Sequence, residues 1–257
     1  MQSLATPIVA VAEQAGAYLF TREHVSGGGV GFAARSVALA ELPRLRPGSV
    51  FETGRRWQMV PSKLYRYDDR ASYLRERYPQ VAAERIGVLP LPSLGAMALF
   101  DRSAAVADNL YSGNHLVELL LDGVLDAAPA TDTYALAYFV EEAMWLVLVR
   151  DGRVYVVDSH PCRSGADAVF FAGAQYRQYA LERAECPLVV GGSIGDGSQL
   201  RRDLEVYFDV RDLAADLLGP TAARERTAAS RLLLAYEHAQ RSIPHAPPAA
   251  AAAPVAS

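Results

Sequence analysis

The segment from Tyr134 to Tyr207 constrains the fold more than any other stretch of this chain. It contains three apolar runs of strand length, which cover Tyr134–Val140, Met144–Val149 and Val154–Val157. The polar turns between these runs, Glu141-Glu142 and Asp151-Gly152, favour hairpins, the second because glycine accepts a positive φ. The segment therefore predicts an antiparallel meander of three strands.

A helix, a buried strand and a second helix are predicted to follow this meander. Apolar residues recur at helical spacing between Gly165 and Ala184. Cys186–Val190 is a short apolar run of the kind found in parallel strands. After the turn Gly191-Gly192-Ser193, residues Gln199–Tyr207 are predicted to be helical, with Ser198 or Asp196 as the N-cap.

The first half of the chain shows the same order of elements without visible sequence repetition. Residues 7–12 and 17–20 predict strands joined by the turn Glu13–Gly16, and a third strand is expected around residues 30–39. Short helices and strands are predicted after this meander, over residues 40–47, 55–60, 68–78, 85–91, 94–100, 103–111 and 115–125. Residues 212–242 predict one or two further helices, broken at Gly219-Pro220.

Three motifs resemble those of an uncharacterised bacterial family, domain-of-unknown-function family 3822, found mainly in Bacteroidetes. They are Trp57–Tyr65, the hairpin and helix from Asp151 to Tyr179, and the turn and helix from Gly191 to Leu200. The family is similar to actin-like ATPases and to the pilus-assembly protein PilM. The resemblance, over roughly residues 5 to 210, implies an α+β, ribonuclease H-like fold of two lobes, each with a three-stranded meander. A generic α+β fold without two lobes is the alternative.

The expected domain division follows from the same comparison. Residues 5–130 would form an N-terminal lobe, and residues 131–242 a C-terminal lobe with terminal helices. The Pro/Ala-rich residues 243–257 predict a disordered tail.

Composition limits the classes of function. The net charge of −4 argues against a nucleic-acid or anionic-membrane surface, and no stretch approaches the ~18 apolar residues of a membrane span. The two cysteines, Cys162 and Cys186, are predicted to be buried thiols in a reduced compartment. These features favour a cytoplasmic protein.

The resemblance also implies where a nucleotide would bind. Actin-like ATPases hold phosphate and Mg²⁺ with two hairpin turns that carry an acid, a glycine and hydroxyls, and they contact adenosine with a Gly-Gly turn. The matching positions here are Glu13, Gly16, Glu141, Glu142, Gly191, Gly192 and Ser193. The first turn lacks a hydroxyl, and the second lacks both glycine and hydroxyl. The Gly-Gly turn is also explained by tight strand-to-helix geometry.

Other candidate sites are weaker. His160-Pro161-Cys162 offers two soft ligands where a metal site needs three or four, so no metal and no catalytic residue are predicted. Asp167 is interpreted as an acid at a helix N-terminus rather than half of a catalytic pair with Asp158. His115 is expected to face solvent.

A cluster of Tyr and Arg residues is the candidate protein interface. Its members are Tyr65, Tyr73, Arg66, Arg70 and Arg77, residue types that often anchor interfaces. The alternative is an amphipathic helix with Tyr73 and Leu74 inward and the arginines outward.

These observations favour a non-catalytic, actin-like or PilM-like scaffold that binds protein partners and needs no cofactor. The alternative is an ATP/Mg-binding sensor or weak ATPase with altered phosphate-binding turns. A homo-oligomer or filament subunit is a third interpretation.

Overall fold

The computed structural model of the protein describes residues 9–25, 29–65, 68–102, 113–127, 132–194, 198–219 and 226–244. Its strands are β1 (Val9–Ala12), β2 (Ala17–Val25), β3 (Gly29–Val37), β4 (Ser49–Glu52), β5 (Arg55–Pro61), β6 (Ile86–Leu91), β7 (Ala96–Asp101), β8 (Gly113–His115), β9 (Tyr134–Val140), β10 (Ala143–Arg150), β11 (Arg153–Pro161), β12 (Leu188–Gly192) and β13 (Val210–Asp212). Its α-helices are α1 (Leu42–Leu45), α2 (Arg70–Arg77), α3 (Leu116–Ala127), α4 (Gly165–Gln178), α5 (Gln199–Tyr207) and α6 (Ala228–Ser242).

Two five-stranded sheets share one topology. The first has the strand order β3-β2-β1-β4-β8 and the second the order β11-β10-β9-β12-β13. In each, a hairpin-linked antiparallel meander is extended by two parallel strands, so that β1 lies between β2 and β4, and β9 between β10 and β12. Polar turns permit the antiparallel connections, whereas the parallel strands require longer crossovers. This repeated order confirms the predicted two-lobe fold.

A third sheet is inserted into the first lobe between β4 and β8. Its strand order is β5-β7-β6, and helix α2 packs on it. Tyr65 and Tyr73 lie in its core, 6% and 4% exposed, with their rings edge to face at 5.3 Å between centroids. Burial of these rings fixes α2 against the sheet.

Sequence analysis found the parallel strand β12 but missed three shorter parallel strands, β4, β8 and β13. Strands β4, β8 and β13 have only three or four residues each, too few for a visible periodicity. The expectation that His115 faces solvent is wrong: it ends β8 and is 1% exposed, and the helix begins at Leu116. The helix predicted over residues 103–111 lies outside the described residues, as does the tail after Pro244.

Helix α6 packs against both lobes. It contacts α3, strands β2 and β3 of the first sheet, and β12 of the second. Thr227 caps its N-terminus by accepting from the Ser230 N–H at 3.2 Å, and the Thr227 hydroxyl donates to Asp126 at 2.7 Å. Gly123 of α3 allows a close approach, since a Cβ there would lie 2.8 Å from Leu233 Cδ2. The predicted lobe boundary at residue 130 stays a prediction.

Within the described residues, each helix is too short or too polar to cross a bilayer.

Candidate functional site: the cleft between the lobes

The first turn, between β1 and β2, presents a buried acid. The Glu13 N–H donates to the Gly16 carbonyl at 2.8 Å, which closes the turn. Glu13 is 6% exposed, whereas Gln14 and Ala15 at the tip are exposed. The Glu13 side chain thus lies inside the molecule at the base of the cleft.

The second turn, between β9 and β10, reaches across the cleft to the first. Glu141 adopts φ 56°, a left-handed conformation that favours glycine. Its Oε1 accepts a short hydrogen bond from the Gln14 backbone N–H. Burial raises the pKa of Glu141, the nearby N–H groups of Gln14 and Ala15 oppose that shift, and the charge of Glu13 adds to it. The two turns are therefore bonded directly to each other.

The Gly-Gly turn begins within β12, whose last two residues are Gly191 and Gly192, and it needs glycine for steric reasons. Gly192 has φ 89°, and a Cβ there would lie 1.9 Å from the Phe139 carbonyl oxygen. A Cβ on Gly191 would lie 2.6 Å from Leu213 Cδ2. Ser193 uses both its N–H and its hydroxyl on the Phe139 carbonyl, at 2.8 and 3.2 Å. These contacts explain the motif by packing alone.

The N–H of the Gly-Gly turn points to an acid of helix α6. Glu237, which is fully buried, accepts from the Gly192 N–H at 2.8 Å and from Arg241 at 3.2 Å. Burial raises the pKa of Glu237 to about 7, although Tyr138, Arg241 and the Gly192 N–H each pull it down, and Asp212 pushes it up. Glu237 is thus a buried carboxyl group that titrates near neutral pH.

Arg241 connects Glu237 to the second lobe. Its guanidinium donates to Asp212 at 2.8 Å, and Arg201 lies 3.4 Å from the same carboxylate oxygen. Burial alone would raise the pKa of Asp212, but the Ala215 N–H and the two arginines outweigh burial and hold it below its usual range. Asp212 is therefore ionised and ties α6 to the end of β13.

Two other side chains of α6 meet Glu13 at the base of the cleft. The Tyr236 hydroxyl donates a short hydrogen bond to Glu13 Oε1, and Gln240 Nε2 donates to the same oxygen at 3.1 Å. Gln240 Oε1 accepts from the Tyr138 hydroxyl at 3.0 Å. The Gln240 amide thus bridges β1–β2 of one lobe to β9 of the other.

A small cavity of about 210 Å³ opens at the mouth of the cleft. Trp57 and Trp145 line it, with ring centroids 4.8 Å apart, and His115 packs 4.9 and 4.8 Å from these two rings. Burial lowers the pKa of His115 to about 3, opposed only by the Thr53 backbone, so the ring is neutral at pH 7. The cavity is smaller than the ~300–1,000 Å³ of ordinary ligand sites.

The structure brings the two hairpin turns into contact, and α6 connects the Gly-Gly turn to Glu13 through Glu237 and Tyr236. Glu142 turns outward and pairs with Arg163 at 2.9 Å, where both side chains are mostly exposed. Sequence analysis missed Tyr236, Glu237 and Gln240. The signal for Glu237 and Gln240 was their polar character four and seven positions after Leu233, on the buried stripe of a helix, whereas Tyr236 fits that stripe as an apolar residue.

The predicted Tyr/Arg interface requires a correction. Tyr65 and Tyr73 are buried in the core of the inserted sheet, so they cannot anchor a partner at the surface. Arg70 and Arg77 are exposed on α2, which matches the amphipathic alternative. Arg66 lies outside the described residues.

The model of a family described as a protein of unknown function (DUF3822) matches residues 53–210, more than half of the 257 residues. The chain belongs to this family. The match begins after the first meander and ends before helix α6. No curated protein matches the chain.

Three solved structures are similar to this chain. A protein from Bacteroides thetaiotaomicron with an actin-like ATPase fold and unknown function is 12% identical, with a TM-score of 0.61 over 90% of this chain and 96% of that one. A PilM–PilN type IV pilus biogenesis complex is 15% identical, with a TM-score of 0.46 over 88% and 96%. The cytoplasmic domain of EpsL, from the type II secretion system of Vibrio cholerae, is 13% identical, with a TM-score of 0.40 over 77% and 94%. Only the first bears on the fold of this chain, which is actin-like.

Proposed function

We propose that this protein is a non-catalytic member of the actin-like fold that acts as a scaffold for other proteins. The observation that carries the proposal is the hydrogen bond between the Gln14 N–H and Glu141, which joins the two turns that would otherwise enclose a phosphate. In an actin-like ATPase such N–H groups face the phosphate oxygens. Here a carboxylate of the same chain takes that place.

The charge of the cleft also opposes phosphate. Glu13 and Glu141 both lie at the junction of the turns, and the charge of Glu13 contributes to the raised pKa of Glu141. A magnesium ion would need the carboxylate oxygens of the turn acids as ligands. Glu13 Oε1 already accepts hydrogen bonds from the Tyr236 hydroxyl and from Gln240 Nε2. A phosphate entering this space would have to break those bonds and face two acids without a hydroxyl donor from either turn.

Exposed apolar and arginine side chains support partner binding as the role of this two-lobe fold. Large apolar side chains are exposed on helices α4 and α5 of the second lobe, with Phe170 63%, Val206 65% and Tyr207 60% exposed. On α2, Arg70 and Arg77 are exposed as well. Aromatic and arginine side chains are the residues that most often anchor protein interfaces.

Thermal unfolding with and without Mg-ATP and Mg-ADP tests the absence of a nucleotide. A ligand at 100 times its dissociation constant stabilises a protein by about 2.7 kcal/mol, a readily measured shift in Tm. We expect no shift at millimolar nucleotide. A shift that disappears in Glu13→Ala and Glu141→Ala, but persists in Glu142→Ala, would instead support the ATP-binding sensor.

Quantitative affinity capture tests the scaffold role. We expect specific partners to be lost with Phe170→Ser combined with Tyr207→Ser, or with Arg70→Glu combined with Arg77→Glu, while unfolding curves stay unchanged. The same partners retained by both variants would place the binding surface elsewhere. Capture of no protein by the wild-type chain would count against the proposal itself.

A further inference from the structure

Helix α6 provides the bonds that an external ligand would otherwise make between the lobes. Its Tyr236 and Gln240 side chains bind Glu13 of the first lobe, and Glu237 binds the Gly192 N–H of the second. The same helix is anchored to Asp212 through Arg241. A single rigid element therefore joins the acid of one turn to the glycine turn of the opposite lobe.

We propose that helix α6 is a built-in ligand of the cleft, which holds the two lobes in one closed arrangement without a nucleotide. This inference rests on the proposed function in one respect, namely that the cleft is free of nucleotide. It adds a mechanism: α6 takes the coupling role that a bound nucleotide would otherwise have.

The bonds of helix α6 to the second lobe make opening of the cleft unfavourable. Glu13 is a buried acid whose Oε1 is held by two donors from α6. Because α6 packs mainly on α3, β2 and β3, it would stay with Glu13 if the lobes separated. The bonds that would break are those of α6 to Gly192, Asp212 and Tyr138 of the second lobe. Opening would take a donor from the buried Glu237 carboxyl group and the Arg241 donor from Asp212, so the closed arrangement is preferred.

The Gln240 amide is the most direct bridge. Its Nε2 donates to Glu13 of the first lobe and its Oε1 accepts from Tyr138 of the second, at 3.1 and 3.0 Å. An amide suits this position because it donates and accepts at once. An ionised Glu at residue 240 could only accept, and a Leu could do neither.

On the second-lobe side, Glu237 occupies the position of a ligand acceptor. A backbone N–H in a glycine turn is a common anchor for anionic groups, and Glu237 binds this one from within the chain. Asp212, Tyr138, Tyr236 and Arg241 are the other titratable or charged groups that act on Glu237. Arg241 donates to both Asp212 and Glu237, and its positive charge stabilises these acids and holds α6 against the second lobe.

The test measures lobe separation in the full-length protein. Spin labels are placed on two exposed sites, Arg22→Cys in the first lobe and Phe170→Cys in the second. Dipolar distance distributions are then compared for the wild type, Gln240→Leu, Gln240→Glu and the control His238→Gln, an exposed neighbour on the same helix. The chain without the two introduced cysteines is treated with the same spin label, and it measures the background from the buried Cys162 and Cys186.

We expect one narrow distance in the wild type and in His238→Gln, and a broad or longer distribution in both Gln240 variants. Amide exchange at Gln14 and Gly192 should accelerate at least tenfold in these variants, and interior amides of β2 and β10 should change less. Unchanged distances in folded Gln240 variants would overturn the proposal, and so would exchange that rises equally throughout the chain.

The two proposals can fail separately. A Tm shift with Mg-ATP, together with distances that respond to Gln240, would reject the nucleotide-free scaffold but keep α6 as the coupling element of the unliganded protein. No Tm shift and unresponsive distances would keep the scaffold and reject α6 as a ligand.

Discussion

The first and second turns occupy equivalent places in two lobes with the same strand order, yet their acids have different hydrogen-bond partners. Glu13 points inward and receives donors from α6, whereas Glu141 points across the cleft and accepts from the backbone of the other turn. Glu141 reaches that position by taking a left-handed conformation that a glycine would adopt more easily. Repeated topology therefore fixes where an acid lies, but local contacts decide what it binds.

The largest expected loss of stability is at the Gly-Gly turn, which differs from both hairpin turns in that a Cβ would overlap the backbone there. Gly192→Ala places a Cβ 1.9 Å from a carbonyl oxygen at φ 89°, so both steric overlap and backbone strain oppose it. We expect the free energy of unfolding in urea to fall by about 4 kcal/mol. Gly95→Ala is the matched control, because its φ is 57° but nothing lies within 4 Å of the added Cβ. A loss of only about 1 kcal/mol is expected there, and equal losses at both sites would contradict the packing explanation.

The next effect separates Glu237 from the two turn acids by its titration. Its pKa is about 7 in the folded protein and near 4.5 in the unfolded chain, so the folded state keeps a proton that the unfolded state releases. Stability should therefore fall as pH rises from about 4.5 to 7, by about 1.4 kcal/mol per unit and roughly 3 kcal/mol in total.

His115 works against this trend, since its lowered pKa makes stability rise with pH over part of the same range. The difference between the wild type and Glu237→Gln cancels that contribution. We expect the difference in unfolding free energy to slope downward between pH 4.5 and 7 and to be flat above pH 8. A flat difference throughout would show that Glu237 titrates at its ordinary value.

Removing the hydroxyl from Tyr236 tests the inward-facing acid. Tyr236→Phe takes one donor from the buried Glu13 carboxylate, and we expect a loss of about 2 kcal/mol in urea unfolding. Tyr18→Phe is the control: its hydroxyl donates to the Ile243 carbonyl at 3.1 Å, a neutral acceptor, so a loss of about 1 kcal/mol is expected. If both changes proved equally costly, the Glu13 contact would have no special weight.

The smallest effect compares the two adjacent acids of the second turn. Glu141→Ala removes the acceptor for the Gln14 N–H, and we expect a loss of about 1 kcal/mol. Glu142→Ala removes only an exposed ion pair with Arg163 and should change stability by less than about 0.5 kcal/mol. The reverse order would mean that the contact between the turns contributes little.

Much of the fold could be predicted because both meanders contain long apolar runs with clear polar turns. Strands β9 and β10 were found with bounds close to those observed. Strand β11 continues past the predicted end at Val157 to Pro161, and helix α4 ends at Gln178 rather than at Ala184. Strand β4 could not be recognised, since its four residues are defined by parallel partners on either side rather than by a pattern of their own. His115 was misplaced for the same reason, because its burial arises from rings of β5, β7 and β10.

The candidate site was predictable only in part. The turns could be located from Glu13, Glu141 and Gly191 because they end predicted strands. Their partners could not, since Tyr236 and Gln240 follow more than 200 residues after Glu13 and no local pattern links them. The Gly-Gly sequence suggested contact with a ligand, but the structure explains the glycine at residue 192 by the close approach of the Phe139 carbonyl oxygen.

The distance along the chain between Glu13 and Tyr236 also orders the events of biosynthesis. These residues are 223 positions apart, so a ribosome that adds about 5 to 20 residues per second needs roughly 10 to 45 s to deliver the second after the first. During that interval both meanders can form, but the acid of the first turn lacks its hydroxyl donor. Until α6 is made, the contact between Gln14 and Glu141 can join the two turns, but the bonds through Tyr236, Glu237 and Gln240 cannot form.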